Sequence, residues 1–116
     1  MGSARRGAAR VSALIWSSFA TEADAERAAN VLLDEGLIAC ANLIPGVRSL
    51  YRWNDERGEG REVAALFKTD GRRLDDAVAR LAELHPYDTP AIVGWRVDAT
   101  TPATAEWLGL AGGKLT

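Results

Sequence analysis

The chain passes twice from two-residue to helical hydrophobic periodicity, and a turn-rich stretch joins the two cycles. Residues 11 to 19 alternate Ala13, Ile15 and Ser17 with Leu14, Trp16 and Ser18, and both faces are nearly apolar at the centre, the pattern of a central strand. Thr21 then offers an N-cap, Glu22 and Asp24 place negative charge in the first turn, and Ala25, Ala28, Ala29, Leu32 and Leu33 recur at helical spacing up to Gly36. Residues 37 to 53 read as extended, with Ile38, Cys40, Asn42 and Ile44 on one face and a bulge or bend at Pro45-Gly46, where a ladder hydrogen bond must be lost. Asn54-Asp55-Glu56-Arg57-Gly58 carries the composition of a hairpin tip, and residues 62 to 69 form the return strand. Asp70-Gly71 opens a second helix with a stripe of Leu74, Val78, Leu81 and Ala82, which Pro86 stops at His85. Residues 91 to 97 make a fourth strand; Thr101-Pro102 starts a short last helix through Leu110, and Gly112-Gly113 ends it.

That order leaves few topologies. Two βαβ halves joined by a hairpin predict an α+β, ferredoxin-like split βαβ sandwich: one antiparallel sheet, two helices on one face, and a short C-terminal helix. The strands carry apolar residues for both faces, among them Leu14, Trp16, Ile38, Ile44, Leu66, Phe67 and Trp95, whereas the helices can cover only one. The sequence therefore predicts an oligomer in which another subunit covers the second face. Trp16 reads as core, and Trp53, near the hairpin tip, as a subunit contact.

At 116 residues the chain has the size of one domain and needs no disulfide or structural metal to build a core. Residues 1–10 read as a flexible basic tail and residues 11–116 as the single domain. Cys40 is the only cysteine, so no internal disulfide exists, and a reducing, cytoplasmic setting is expected. No run approaches the roughly 20 apolar residues of a membrane span. The formal charge is −2; without Arg5, Arg6 and Arg10 the domain holds 11 basic against 16 acidic residues. That balance argues against a nucleic-acid partner and is compatible with cation binding.

Few residues carry chemistry. There is no Gly-x-Ser-x-Gly elbow, phosphate-cradling Gly loop or Cys-x-x-Cys, and one histidine, so the chain reads as non-enzymatic. That histidine, His85, sits at a helix C-terminus in a turn stiffened by Pro86 and Pro90, where the helix dipole favours a cation or a protonated ring. It serves either as a ligand or as a plain helix-end residue. Cys40 is either a small buried hydrophobe or a soft ligand, and one Cys with one His cannot fill a tetrahedral site alone.

Ala39-Cys40-Ala41-Asn42-Leu43-Ile44-Pro45-Gly46-Val47, Ser49-Leu50-Tyr51 with Trp53, Glu62-Val63 with Lys68-Thr69, and His85-Pro86-Tyr87-Asp88 with Pro90 together resemble the CutA divalent-cation tolerance family. The resemblance runs in order from the first strand to about Trp107. It implies a tight homotrimer, related in architecture to the PII signalling proteins, that binds copper(II) or another divalent cation without catalysis. Copper binding in the family has been attributed to positions that match Cys40 and His85. Tyr51, Trp53, Glu62, Lys68 and Tyr87 match positions near the cleft between subunits. The chain departs from the family at Ser17, where some relatives carry cysteine, at the Asn54-Asp55-Glu56 tip, and at Gly58, Ala91 and Arg96. A second reading is a PII-like adaptor whose cleft takes a small molecule, anionic on account of Lys68 and Arg96.

Overall fold

A computed structural model describes residues 11–111, so the 1–10 tail and the Gly112-Gly113 stop lie outside the described residues. The elements run β1 (Ser12–Phe19), α1 (Glu22–Asp34), β2 (Cys40–Trp53), β3 (Glu56–Asp70), α2 (Leu74–Leu84), β4 (Ile92–Arg96) and α3 (Pro102–Gly109). The sheet order is β2-β3-β1-β4 and every pairing is antiparallel, which is the ferredoxin-like topology.

Local chemistry sets the helix limits. The Thr21 hydroxyl accepts from the Asp24 N–H at 3.1 Å at the start of α1, and Gly36, at φ +72°, turns the chain out of it. At the end of α2, His85 is already extended (φ −71°, ψ 131°), as the following Pro86 demands. Thr101 caps α3 through the Thr104 N–H, with Pro102 in the first turn.

The core lies between the helices and one sheet face, where Ala13, Ile15, Phe19, Val63, Ala65 and Phe67 meet Ala25, Ala28, Leu32, Leu74, Ala77 and Leu81. Each fully buried Phe, Ile or Leu there contributes about 1.5–3 kcal/mol. Ala77, three residues after Leu74 and four before Leu81, completes the α2 stripe, and Ala82 is exposed. Ile38 belongs to this core as well, whereas Cys40 begins β2 beside Asn42, so the two do not share a face. The reason is that residues 37–39 form the connection rather than strand, which breaks the alternation the sequence implied.

Among the described residues, no helix lies over the centre of the opposite sheet face. In register, Val93, Trp16, Leu66 and Asn42 form one row across it, and Trp95, Leu14, Lys68 and Cys40 the next. Trp16 is therefore not core: it is 37 % exposed, beside Trp95 at 43 % and Val93 at 56 %. At one end of the sheet α3 packs on β3 and β1. There the buried Asp70 carboxylate accepts from Arg72 at 2.9 Å and Arg73 at 2.7 Å, and both guanidinium groups also donate to the Gly109 carbonyl.

At the other end, β2 and β3 outrun the sheet. Pairing of β1 with β3 stops at Phe19–Val63, but β2 and β3 continue past a bulge between Ile44 and Val47, with Gly46 at φ +76°, as a two-stranded ribbon. The tip needs only Asn54 and Asp55, both at positive φ (52° and 64°), so Glu56, Arg57 and Gly58 are strand rather than turn.

Candidate functional site

His85 lies where the end of α2 meets the end of β1. Its ring stacks on Phe19, with centroids 4.2 Å apart, and is 6 % exposed. Nε2 lies 2.9 Å from the Ser18 carbonyl, and Nδ1 accepts from the Tyr87 N–H at 3.2 Å. A carbonyl can only accept and an N–H can only donate, so these contacts fix the neutral tautomer with its proton on Nε2. Burial pulls the His85 pKa below its ordinary value, against the opposing pull of the Ser18 carbonyl, Glu62 and Asp24. Both nitrogens are thus committed, and the ring has no free lone pair for a metal in this arrangement.

The same loop delivers Tyr87 into a cleft of about 620 Å³ between the ribbon and the body of the sheet. Ser49, Tyr51, Trp53, Glu62, Tyr87 and Thr89 line it. The Tyr87 hydroxyl donates to Glu62 Oε2 at 2.6 Å, and burial together with that carboxylate pushes its pKa well up, so it remains a donor. Register explains the convergence: Val47 opposes Glu62, Ser49 opposes Gly60, Tyr51 opposes Gly58 and Trp53 opposes Glu56, which puts these eight residues on one ribbon face. A Cβ at Gly58 would run into the Tyr51 ring, so the ring lies directly on the glycine backbone. The other ribbon face pairs Arg48 with Arg61, Leu50 with Glu59 and Arg52 with Arg57.

Of the residues read from the sequence, Tyr51, Trp53, Glu62 and Tyr87 come together, with His85 behind them. Cys40 and Lys68 do not join them. They are a cross-strand pair on the helix-free face, where the Cys40 thiol is 3.8 Å from Asn42 Oδ1. Cys40 lies level with Leu14 through Lys68, and His85 level with Ser18, four residues further along β1, or roughly 13 Å. The sheet also separates them, since His85 stacks on the core residue Phe19. One chain therefore cannot hold an ion between Cys40 and His85, and among the described residues no group of three or more His, Cys, Asp or Glu side chains converges. Arg96 is also away from the cleft, donating to the Gly71 carbonyl at 3.0 Å.

The family model for the CutA1 divalent ion tolerance protein matches residues 13–110, the whole span from β1 to the end of α3. The chain belongs to that family. It is 38 % identical over 95 residues to the divalent-cation tolerance protein CutA of Pyrococcus horikoshii, covering 82 % of this chain and 92 % of that one. The crystal structure of CutA1 from Ehrlichia chaffeensis superposes with a TM-score of 0.80 at 34 % identity, covering 84 % of this chain and 92 % of the other. The divalent cation tolerance protein from Thermus thermophilus gives a TM-score of 0.81 at 31 % identity, covering 88 % and 99 %. Two site features escaped the sequence reading: the Ser18 carbonyl that holds His85, which only the fold reveals, and the seat of Tyr51. The second left a signal, glycines at alternate positions of β3 (Gly58 and Gly60) facing Tyr51 and Ser49 across the ribbon.

Proposed function

We propose that this chain is a non-catalytic divalent-cation tolerance protein that works as a cytoplasmic homotrimer and binds copper or a similar ion. The relatives' names support the general role, and one structural observation supports the subunit reading: a helix-free face on which Leu14, Trp16, Leu66, Val93 and Trp95 stand together. A patch of that kind on a stable protein marks an interface. Away from the cleft, Cys40 is the side chain best suited to a soft ion, since in the single chain its thiol is partly exposed and only weakly engaged. His85 could take part only after its Tyr87 N–H contact breaks.

The test is calorimetric titration of the metal-free protein with copper and zinc, run with Cys40→Ser and His85→Ala variants whose assembly is checked by light scattering. Saturable copper binding that falls at least tenfold in Cys40→Ser supports the reading; no binding to an intact assembly overturns it. The cleft favours a second reading, a PII-like adaptor that takes a small molecule, because several polar and aromatic side chains already converge there.

A further inference from the structure

Resting on that cleft reading, we infer that the ligand is an organic cation, a quaternary ammonium or guanidinium head group, held by Tyr51, Trp53 and Tyr87 around Glu62. The ribbon sorts its charges by face. Register puts Glu56 and Glu62 on the face of Tyr51, Trp53 and Ser49, and puts Arg48, Arg52, Arg57 and Arg61 on the other, where only Glu59 answers them. Arg52 and Arg61 border the cleft, but alternation sends their side chains off the far side of the ribbon. Opposing like charges across a strand pair is unfavourable, and this ribbon does so twice, at Arg48/Arg61 and Arg52/Arg57. Among the described residues, register therefore assigns no basic residue to the cleft face of the ribbon.

The two bases that pointed to an anion lie elsewhere, Lys68 six residues along β3 from Glu62, roughly 20 Å, beside Cys40, and Arg96 on the Gly71 carbonyl. Among the described residues, the side chains that register and the Tyr87 loop bring to the cleft include one carboxylate, Glu62, and three aromatic rings, beside the hydroxyls of Ser49 and Thr89. Glu62 spends Oε2 on the Tyr87 hydroxyl and keeps Oε1 for a ligand. In the single chain Tyr51 and Trp53 are 50 % and 57 % exposed, on the ribbon beyond the last β1–β3 pair rather than on the Leu14–Trp95 patch. A hard metal ion takes six or more oxygens and a softer one takes nitrogen or sulfur, and this set supplies neither. Aromatic faces around a single carboxylate instead suit a large, weakly hydrated cation, attracted by the ring quadrupoles and neutralised by the acid.

Choline is the probe, with its uncharged carbon isostere and benzoate as controls, titrated into the assembled protein and followed by tryptophan fluorescence and calorimetry. Choline should bind saturably, the isostere at least about tenfold more weakly, and Glu62→Gln, which keeps the Tyr87 contact, should cost about tenfold. Trp53→Leu should weaken choline as well without changing the assembled mass. Equal binding of the isostere, preference for benzoate, or an unaffected Glu62→Gln variant overturns the inference and leaves the cleft a small-molecule site of another kind. Absence of binding overturns it too, and if Trp53→Leu then splits the assembly, the cleft is a subunit contact and the adaptor reading falls with it.

Discussion

At His85 both imidazole nitrogens are committed to the chain's own backbone, one to the Ser18 carbonyl and one to the Tyr87 N–H, and stability should depend on pH as a result. The folded pKa lies below the ordinary value, chiefly through burial, so between the folded value and about 6.5 the unfolded chain binds more protons than the folded one. The His85 contribution is complete above about pH 6.5 and is lost as pH falls through that window. Urea unfolding of the metal-free protein between pH 7.5 and 5 should show this slope, and His85→Gln should flatten it. Replacement by alanine removes the stack on Phe19 and both hydrogen bonds, and should cost about 3 kcal/mol in the same experiment. Asp70 matters comparably: its carboxylate is 1 % exposed and accepts from the Arg73 N–H and two guanidinium groups, so Asp70→Asn should cost about 2 kcal/mol and loosen α3. The position of His85 at a helix end was legible from Pro86, but its burial was not, because Phe19 and Ser18 reach it from 66 and 67 residues away in the chain.

The ribbon of β2 and β3 is the element that builds the cleft, and its tip and its glycines should respond in opposite directions to substitution. Asn54 and Asp55 both sit in the left-handed region of a two-residue turn, where glycine is the better second residue. Asp55→Gly should raise unfolding stability by about 0.5–1 kcal/mol. Gly58→Ala should instead push the Tyr51 ring off its seat, visible as a shift of the Tyr51 ring resonances while Glu62 and Tyr87 stay paired. Three of the four ends of the two long helices could be read from Thr21, Gly36 and Pro86, because those signals act within one turn, whereas α2 begins only at Leu74, after Arg73, later than the Asp70-Gly71 start the sequence implied. Strand faces were less secure: reading the second strand from residue 37, where it begins at Cys40, reversed the relation of Ile38 to Cys40, since a strand's side-chain period is only two.

At the scale of the molecule, the decisive feature is the face that no helix among the described residues covers. The excess of apolar strand residues showed in the sequence, but the exposure of Trp16 did not, because a strand apolar on both faces does not say which face its own chain will cover. If subunits meet on that face, assembly and folding are coupled and the melting temperature should rise with protein concentration. The most direct test of the subunit claim is the mass in solution, by light scattering or sedimentation equilibrium, of the wild-type chain beside Trp16→Glu. The proposed trimer predicts three times the 12.5 kDa chain for wild type and dissociation in the variant, where a carboxylate would sit in the centre of the Leu14–Trp95 face. A wild-type mass of 12.5 kDa across the concentration range would contradict it.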